Sequence, residues 1–210
     1  MFDAISGEYL ESTEPVNDLD AIAFSQDGTK LMLGNTNGSV SLQPLLALGH
    51  IKASENAIVS LNLHNGGDSL LCGTMGGEMT LWDRSVLKTP RATLQGTAAP
   101  VVHSKISMDD RYALAVYSDE ENSTYVWDLK HSESTPENTE PKLIVRSKVG
   151  TRSAAFTSDS KHLLLGSSDG KIRAWNLDEN REVASFKGHK GEVMDISPLE
   201  DSSRLSLIHI

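Results

Sequence analysis

The sequence has one cysteine, few aromatic residues and no long apolar run. Cys72 stands alone, so the 210-residue chain can form no internal disulfide and offers no cysteine cluster for zinc. The longest apolar runs, such as LLLG at 163–166, fall far short of a membrane span, and the N-terminus lacks the charged and then apolar pattern of a secretory signal. We therefore expect a protein of the cytoplasm or nucleus, without membrane insertion.

Basic residues are scarce relative to acidic ones. The chain has 19 lysines and arginines against 29 aspartates and glutamates, which gives a net charge of −10. A surface this acidic repels phosphate groups, so nucleic acid and anionic membranes are disfavoured as main partners. Solubility is sufficient to explain the acidity itself.

Motifs of catalysis are missing as well. The glycines of GTMGGEMT (73–80) precede a predicted strand, and no Gly-Lys-Ser/Thr of a phosphate-binding loop follows them. The seven histidines are scattered, with no pair at metal-ligand spacing. We expect His103 and Cys72 to have structural roles, because each lies in a predicted strand and nothing near Cys72 in sequence would activate its thiol. The sequence predicts no catalytic residue, no cofactor and no metal site, and hence a protein that is not an enzyme.

What the sequence does contain is an internal repeat. Four segments (21–44, 58–83, 101–128 and 153–176) each read as an apolar strand, a polar turn, a second apolar strand, a tight turn and an alternating third strand. The spacing between equivalent positions is roughly 40 to 50 residues, the length of one blade in a repeat protein. The apolar residue that closes the first strand is Phe24, Leu63, Ile106 or Phe156, and the aromatic position of the third strand holds Gln43, Trp82, Trp127 or Trp175.

The turns between the second and third strands carry the residues of β-hairpins. Asn37-Gly38, Gly76-Gly77 and Asp169-Gly170 fit a two-residue turn that needs positive φ. The third unit has the longer acidic loop SDEENS (118–123) instead, and a polar stretch at 131–141 is predicted to be an inserted surface loop. Each unit is expected to form a small antiparallel sheet that needs neighbours on both faces.

These residues resemble the WD-repeat family, above all in Trp82-Asp83, Trp127-Asp128 and the variant Trp175-Asn176. The resemblance implies an all-β fold, a WD-repeat β-propeller of four-stranded blades, with four recognisable blades and partial blades at both ends, as in a fragment of a seven-bladed propeller. The expected units are 1–14 (an outer strand of a preceding blade), 15–53, 54–96, 97–146, 147–187 and 188–210.

The two ends of the chain are expected to be irregular. Phe2-Asp3 occupies the Trp-Asp position of an earlier blade, so Met1 reads as an internal methionine. Residues 199–210 read either as a second strand or as a non-native tail, and we favour the tail. An open arc of blades would leave apolar faces and strand edges uncovered, so the chain alone is expected to be poorly soluble or to self-associate.

The family's histidine network is expected to be absent from these blades. In well-formed repeats a Gly-His pair precedes the first strand, and the histidine bonds to a strand-two Ser or Thr, a turn Asp and the Trp. The corresponding positions hold Pro15, Ser54, Thr97 and Ser147, and only Gly188-His189 fits the pattern. The blades should therefore depend more on packing than on this network.

The resemblance also implies where a partner would bind. In this family the face with the strand 2–3 turns and the links between blades commonly binds peptides or domains. The acidic residues of the third unit would favour a basic ligand. The candidate residues are Thr36, Met75, Ser168, Asp119, Glu120 and Glu121.

The leading hypothesis is a non-catalytic protein–protein interaction scaffold within a larger assembly. One alternative is the regulatory repeat region of a NACHT-type signalling nucleotidase, and a less favoured one is a propeller hydrolase. A phosphate-binding loop encoded upstream would select the nucleotidase, and metal-dependent turnover would select the hydrolase.

Overall fold

The protein is described by a computed structural model that covers residues 19–24, 30–44, 49–64, 69–83, 89–132, 139–198 and 205–209. The first two units form β1 (Leu19–Phe24), β2 (Lys30–Asn35), β3 (Ser39–Pro44), β4 (Gly49–Lys52), β5 (Ile58–Leu63), β6 (Ser69–Thr74), β7 (Met79–Asp83) and β8 (Ala92–Leu94). The later units form β9 (Val101–Ile106), β10 (Tyr112–Tyr117), β11 (Thr124–Asp128), the short helix α1 (Leu129–Ser132), β12 (Leu143–Val145), β13 (Thr151–Phe156), β14 (His162–Ser167), β15 (Lys171–Asn176), β16 (Arg181–Lys187), β17 (Val193–Pro198) and β18 (Leu205–His209).

The strands form four antiparallel sheets of four strands and a fifth of two, each in chain order from the inside outwards. The first strands β1, β5, β9, β13 and β17 lie side by side in space in the order of the chain, so the sheets radiate from a common axis. This is the arrangement of propeller blades, and the predicted all-β propeller is confirmed. The expected outer strand at 1–14 lies outside the described residues, and the unit boundaries stay predictions.

The core of the protein lies between successive sheets. On β10, Tyr112 and Leu114 pack against the fourth sheet, whereas Ala113 and Ala115 pack against the second. Both faces of this strand are covered, and all six of its residues are buried. Trp127 is fully buried between the second and third sheets. The second, third and fourth sheets therefore gain apolar contacts from two neighbours.

Glycines on the second strands set the distance between sheets. A Cβ atom at Gly34, Gly73 or Gly166 would lie 2.6–2.7 Å from a side chain at the start of the next first strand. For Gly73 the contacted atom is Cγ1 of Val101. A side-chain carbon could not lie this close to the valine, so the absence of a side chain at the glycine allows the next blade to pack tightly.

The turns between second and third strands confirm the positive φ but are not two-residue turns. Gly38, Gly77 and Gly170 have φ of 77°, 85° and 74°. Each donates its N–H to the carbonyl three residues earlier, and three or four residues separate the strands. In the third unit Asn122 supplies the left-handed residue, with φ of 47°. Asparagine adopts this region more readily than most residues, which explains a glycine-free turn there.

The inserted stretch of the third unit is more than a surface loop. Residues 133–138 of it lie outside the described part, but Thr139 forms a parallel bridge to β8 of the second sheet. The N–H of Gln95 donates to Thr139 O at 2.9 Å, and the N–H of Thr139 donates to Thr93 O at the same distance. The insertion therefore covers part of the outer edge of the second sheet, which corrects the sequence prediction.

At the end of the chain, β18 pairs antiparallel with β17, from Val193 with His209 to Pro198 with Leu205. This is the geometry of a second strand, the alternative that the sequence reading did not favour. Exposed apolar residues occur on the first and fourth sheets, with Ile22 52% exposed on β1 and Phe186 53% exposed on β16. They are consistent with self-association, which stays a prediction. Among the described residues no helix has the length and hydropathy to cross a membrane.

The tryptophans find other partners than the family's histidine network. Trp82 Nε1 donates to Thr80 Oγ1 at 2.9 Å, and Trp127 Nε1 donates to Gln95 O at 3.1 Å. Trp175 Nε1 is buried without a hydrogen-bond partner. In that blade an arginine replaces the histidine: Arg173 donates to Ser167 Oγ at 2.7 Å and to Asp169 Oδ2 at 2.9 Å.

The turn carboxylate of the fourth sheet is held ionised by its neighbours. Hydrogen bonds from the side chains of Arg173 and Lys171 lower the pKa of Asp169 to about 2, against some opposing desolvation. The side chain is 23% exposed, so solvent screens part of the interaction.

Substituting Gly73→Ala should destabilise the protein, because the new Cβ would overlap Val101 and contact Met79 Sδ at 3.0 Å. We expect a loss of about 1–3 kcal/mol in the free energy of unfolding, measured by chemical denaturation. Gly188→Ala is the matched control, since no atom lies within 4 Å of its Cβ position. Equal stability of the two variants would show that the packing of the two sheets does not require glycine at position 73.

The stability that Asp169 contributes should depend on pH. Its pKa is lower in the folded state, so the contribution is present above about pH 4 and is lost as the pH falls towards 2. Asp169→Asn should reduce the unfolding free energy by up to about 1 kcal/mol at pH 7, and this difference from wild type should shrink in acid. Denaturation curves at several pH values test this, with the exposed Glu55→Gln as control. A difference that does not change with pH would contradict it.

Candidate functional site

One face of the protein gathers the strand 2–3 turns and the links between sheets. Within a unit, the turn bonds to the link that precedes the first strand: Met75 N–H donates to Ala57 O, and Ser168 N–H donates to Gly150 O, both at 2.9 Å. We call this surface the turn face. It comprises residues 36–38, 53–57, 75–78, 95–100, 118–123, 146–150, 168–170 and 188–192.

The predicted residues Thr36, Met75 and Ser168 all lie on the turn face. Thr36 is exposed, and the Met75 side chain is 51% exposed. Ser168 is half-buried, with its Oγ 3.7 Å from the Cβ position of Gly150. The structure thus brings these residues to one surface, and their role in binding stays a prediction.

The acidic loop of the third unit is partly occupied with its own structure. Asp119 Oδ1 accepts a hydrogen bond from the Ser123 N–H at 2.8 Å, which closes the loop. Glu121 pairs with Arg146 Nε at 2.7 Å, and its backbone carbonyl accepts from Ser147 N–H. Glu120 is exposed. Two of the three predicted carboxylates therefore stabilise the loop and its contact with the following link, which weakens the argument for a basic ligand.

Sequence reasoning missed a set of bulged residues at the second position of the first strands. The register shifts there in all five of these strands. A bulge adds one residue and turns its side chain away from the regular alternation. Val102 is 54% exposed and Met194 42% exposed as a result. The full set is Asp20, Val59, Val102, Arg152 and Met194.

A weak sequence signal for these bulges exists. Ile58-Val59 and Val101-Val102 place two apolar residues side by side at the start of a strand, where strict alternation would place one. Such a pair is also typical of a strand buried on both faces, so the sequence alone does not distinguish the two.

Polar bonds between adjacent first strands hold the bulged residues in place. Ser60 Oγ and Ser104 Oγ are 2.7 Å apart and buried, joining β5 to β9. Ser153 Oγ donates to Val193 O at 2.8 Å, joining β13 to β17. The serines of these bonds lie at the third or fourth position of their strands, next to the bulges. They therefore tie the bulged segments of adjacent blades together.

His103 and Cys72 are structural, as predicted. His103 Nε2 donates to Ala154 O at 3.1 Å and joins β9 to β13. Burial, and next the charge of Lys105, lower the pKa of His103, which favours the neutral ring. Cys72 is fully buried in the core, and burial raises the pKa of its thiol far above the ordinary value. A thiol in this state is a poor nucleophile.

The opposite face has a cavity of about 260 Å³ where the first strands end. Asn62, His64, Lys105 and Met108 contribute to its wall. His64 Nε2 donates to Met108 O at 3.2 Å, so its ring is engaged in the wall itself. Among the described residues no group of three or more His, Cys, Asp or Glu side chains could hold a metal ion.

Comparison with known proteins identifies the repeat. Residues 146–176 match the family model described as "WD domain, G-beta repeat". Over 122 residues the chain is 34% identical to the Arabidopsis thaliana protein ANTHESIS POMOTING FACTOR 1, covering 56% of this chain and 35% of that protein. Over 152 residues it is 25% identical to the Dictyostelium discoideum WD repeat-containing protein 91 homolog, covering 70% of this chain and 19% of that protein.

Among solved structures, the fold resembles the β-propeller domain of Cps50 (Swd1) from Myceliophteria thermophila. The TM-score is 0.73 at 20% sequence identity, covering 91% of this chain and 62% of that one. The chain thus spans about a third and a fifth of the two relatives named above. With the repeated blades, the Trp-Asp positions and these matches, the chain carries a WD repeat at residues 146–176 and has the β-propeller fold.

Proposed function

We propose that this protein is a non-catalytic protein–protein interaction scaffold that binds its partners on the turn face, within a larger assembly in the cytoplasm or nucleus. The observation that carries the proposal is the exposure of Met75, Val102 and Met194 on or beside that face. Large apolar side chains that stay exposed together on a rigid surface are typical of protein-binding sites.

The way these side chains are held supports the proposal. Met75 lies in a turn fixed by the bond from its N–H to Ala57 O, and Val102 projects from a bulge next to the bonded pair Ser60–Ser104. Because the backbone is already ordered, binding a partner would cost little conformational entropy. A preorganised apolar rim with polar turns around it fits a peptide or a domain surface better than a small substrate.

The candidates Thr36, Ser168 and Glu120 complete this surface as polar neighbours of the apolar rim. Neither the nucleotidase nor the hydrolase alternative gains a specific contact in support, and both stay hypotheses. The proposal that the protein is not an enzyme draws on the structural roles of His103 and Cys72.

The proposal can be tested by partner capture from the native cell. The tagged protein carrying Met75→Lys together with Val102→Lys should recover its partners at least about tenfold less than the wild type, since central apolar contacts dominate interface energies. Affinity purification with quantitative mass spectrometry measures the recovery.

Met108→Lys is the matched control, because Met108 is 43% exposed on the opposite face. Circular dichroism should show that all variants fold alike. Loss of the partners in the Met108 variant but not in the double variant would contradict the proposed surface. A wild-type protein that recovers no stable partner would contradict the scaffold function.

A further inference from the structure

We propose that the turn face at the fourth sheet binds an acidic peptide segment that also carries an apolar residue. This inference rests on the proposed function, since it names the chemistry of the partner for the same face. The binding groups form a cluster that we call the basic sector, consisting of Lys148, Arg152, Lys171, Arg173, Lys187 and Lys190.

The basic sector is one continuous surface. The Cβ position of Gly150 lies 3.7 Å from Ser168 Oγ and 3.8 Å from Arg152 Cζ, so the link 146–150, the Arg152 bulge and the turn 168–170 are in contact. The Cβ position of Gly170 lies against His189 O, so the link 188–192 covers the other side of that turn. Lys171 begins β15 directly after the turn.

The charge of the basic sector is opposite to that of the chain. Among the described residues of this surface, six basic side chains face the two carboxylates Asp169 and Glu192, in a chain of net charge −10. The loop 118–123 contacts the same link and adds Asp119, Glu120 and Glu121, of which Glu121 pairs with Arg146. Seven basic groups then stand against five carboxylates, and the remaining excess of two positive charges on an acidic protein creates a local field that attracts anionic groups.

The ion pairs within the sector leave this excess in place. Asp169 is shared between Lys171 Nζ at 3.0 Å and Arg173 Nη2 at 2.9 Å, and Glu192 pairs with Arg152 Nε at 2.8 Å. Lys148, Lys187 and Lys190 are exposed and contact no carboxylate within the described part of the chain.

The register of the sheet places two of the lysines against each other. Lys171 and Lys187 are direct cross-strand partners on β15 and β16. Like charges in this position are destabilising; the pair of Lys171 with Asp169 offsets part of the repulsion, and an anion bound at Lys187 would offset more of it. The positive charges of these lysines would therefore favour binding of an acidic partner.

An apolar rim beside the sector favours a peptide over a polyanion. Val102 and Met194 occupy the bulges of β9 and β17, the first strands on either side of the Arg152 bulge in β13, and both are about half exposed. A nucleic acid or anionic vesicle would meet the remaining acidic surface of the protein, whereas a short acidic segment with one apolar side chain need not.

The test uses the 210-residue chain and a fluorescent twelve-residue peptide in which aspartates and glutamates flank one leucine. Anisotropy titrations should show binding at low ionic strength that weakens as salt is added. Lys148→Glu together with Lys190→Glu should weaken binding at least about fivefold. Lys130→Glu together with Lys161→Glu, the same charge change on the opposite face, should alter it by less than about twofold.

Several results would overturn the inference: no binding of the acidic peptide at low salt, equal weakening by the two double variants, or tighter binding of an oligo-thymidine or of the lysine version of the peptide. Should circular dichroism show unfolding of the Lys148/Lys190 variant, the corresponding double glutamine variant replaces it. If partner capture in cells depends on Met75 and Val102 but not on Lys148 and Lys190, this inference fails while the proposed function stands.

Discussion

In the described part of the chain, the second, third and fourth sheets each have two apolar faces, and the neighbouring sheets cover both of them. On β10 the side chains alternate between the second and the fourth sheet, and all six residues are buried. Since neither face of such a sheet is exposed to water, the register of its second strand is fixed by both neighbouring sheets at once. The stability of one blade is therefore inseparable from that of the next.

This constraint explains why the family's polar network is dispensable here. Once Trp127 is buried between two sheets, its indole N–H needs an acceptor, but the identity of that acceptor is free. Trp127 uses the carbonyl of Gln95, Trp82 uses Thr80, and in the fourth blade Arg173 joins the Ser and Asp positions without any histidine. Packing sets the geometry, and the indole groups of Trp82 and Trp127 find acceptors within it, whereas Trp175 Nε1 is buried without one.

The blades can be predicted from the sequence because the residues that determine them are close together in the chain. The turn glycines Gly38, Gly77 and Gly170 and the alternating strands are each read within about ten residues. The bulges and the bridge from Thr139 to β8 could not be read in this way, because each depends on a neighbouring strand that is distant in sequence. The same holds for the Arg146–Glu121 pair, which changes the meaning of the acidic loop.

The same distinction between local and distant determinants applies to the candidate site. The repeat alone predicts that Thr36, Met75 and Ser168 lie on one face, since equivalent positions of a propeller share a face. The charge of that face is not a repeat property, because many side chains of the links and turns are exposed and their residues differ from blade to blade. The links 146–150 and 188–192 and the start of β15 bring Lys148, Lys190 and Lys171 onto one surface from three separate segments. We therefore infer that blade packing determines where a partner can bind, and that the exposed residues between blades determine the chemistry of that partner.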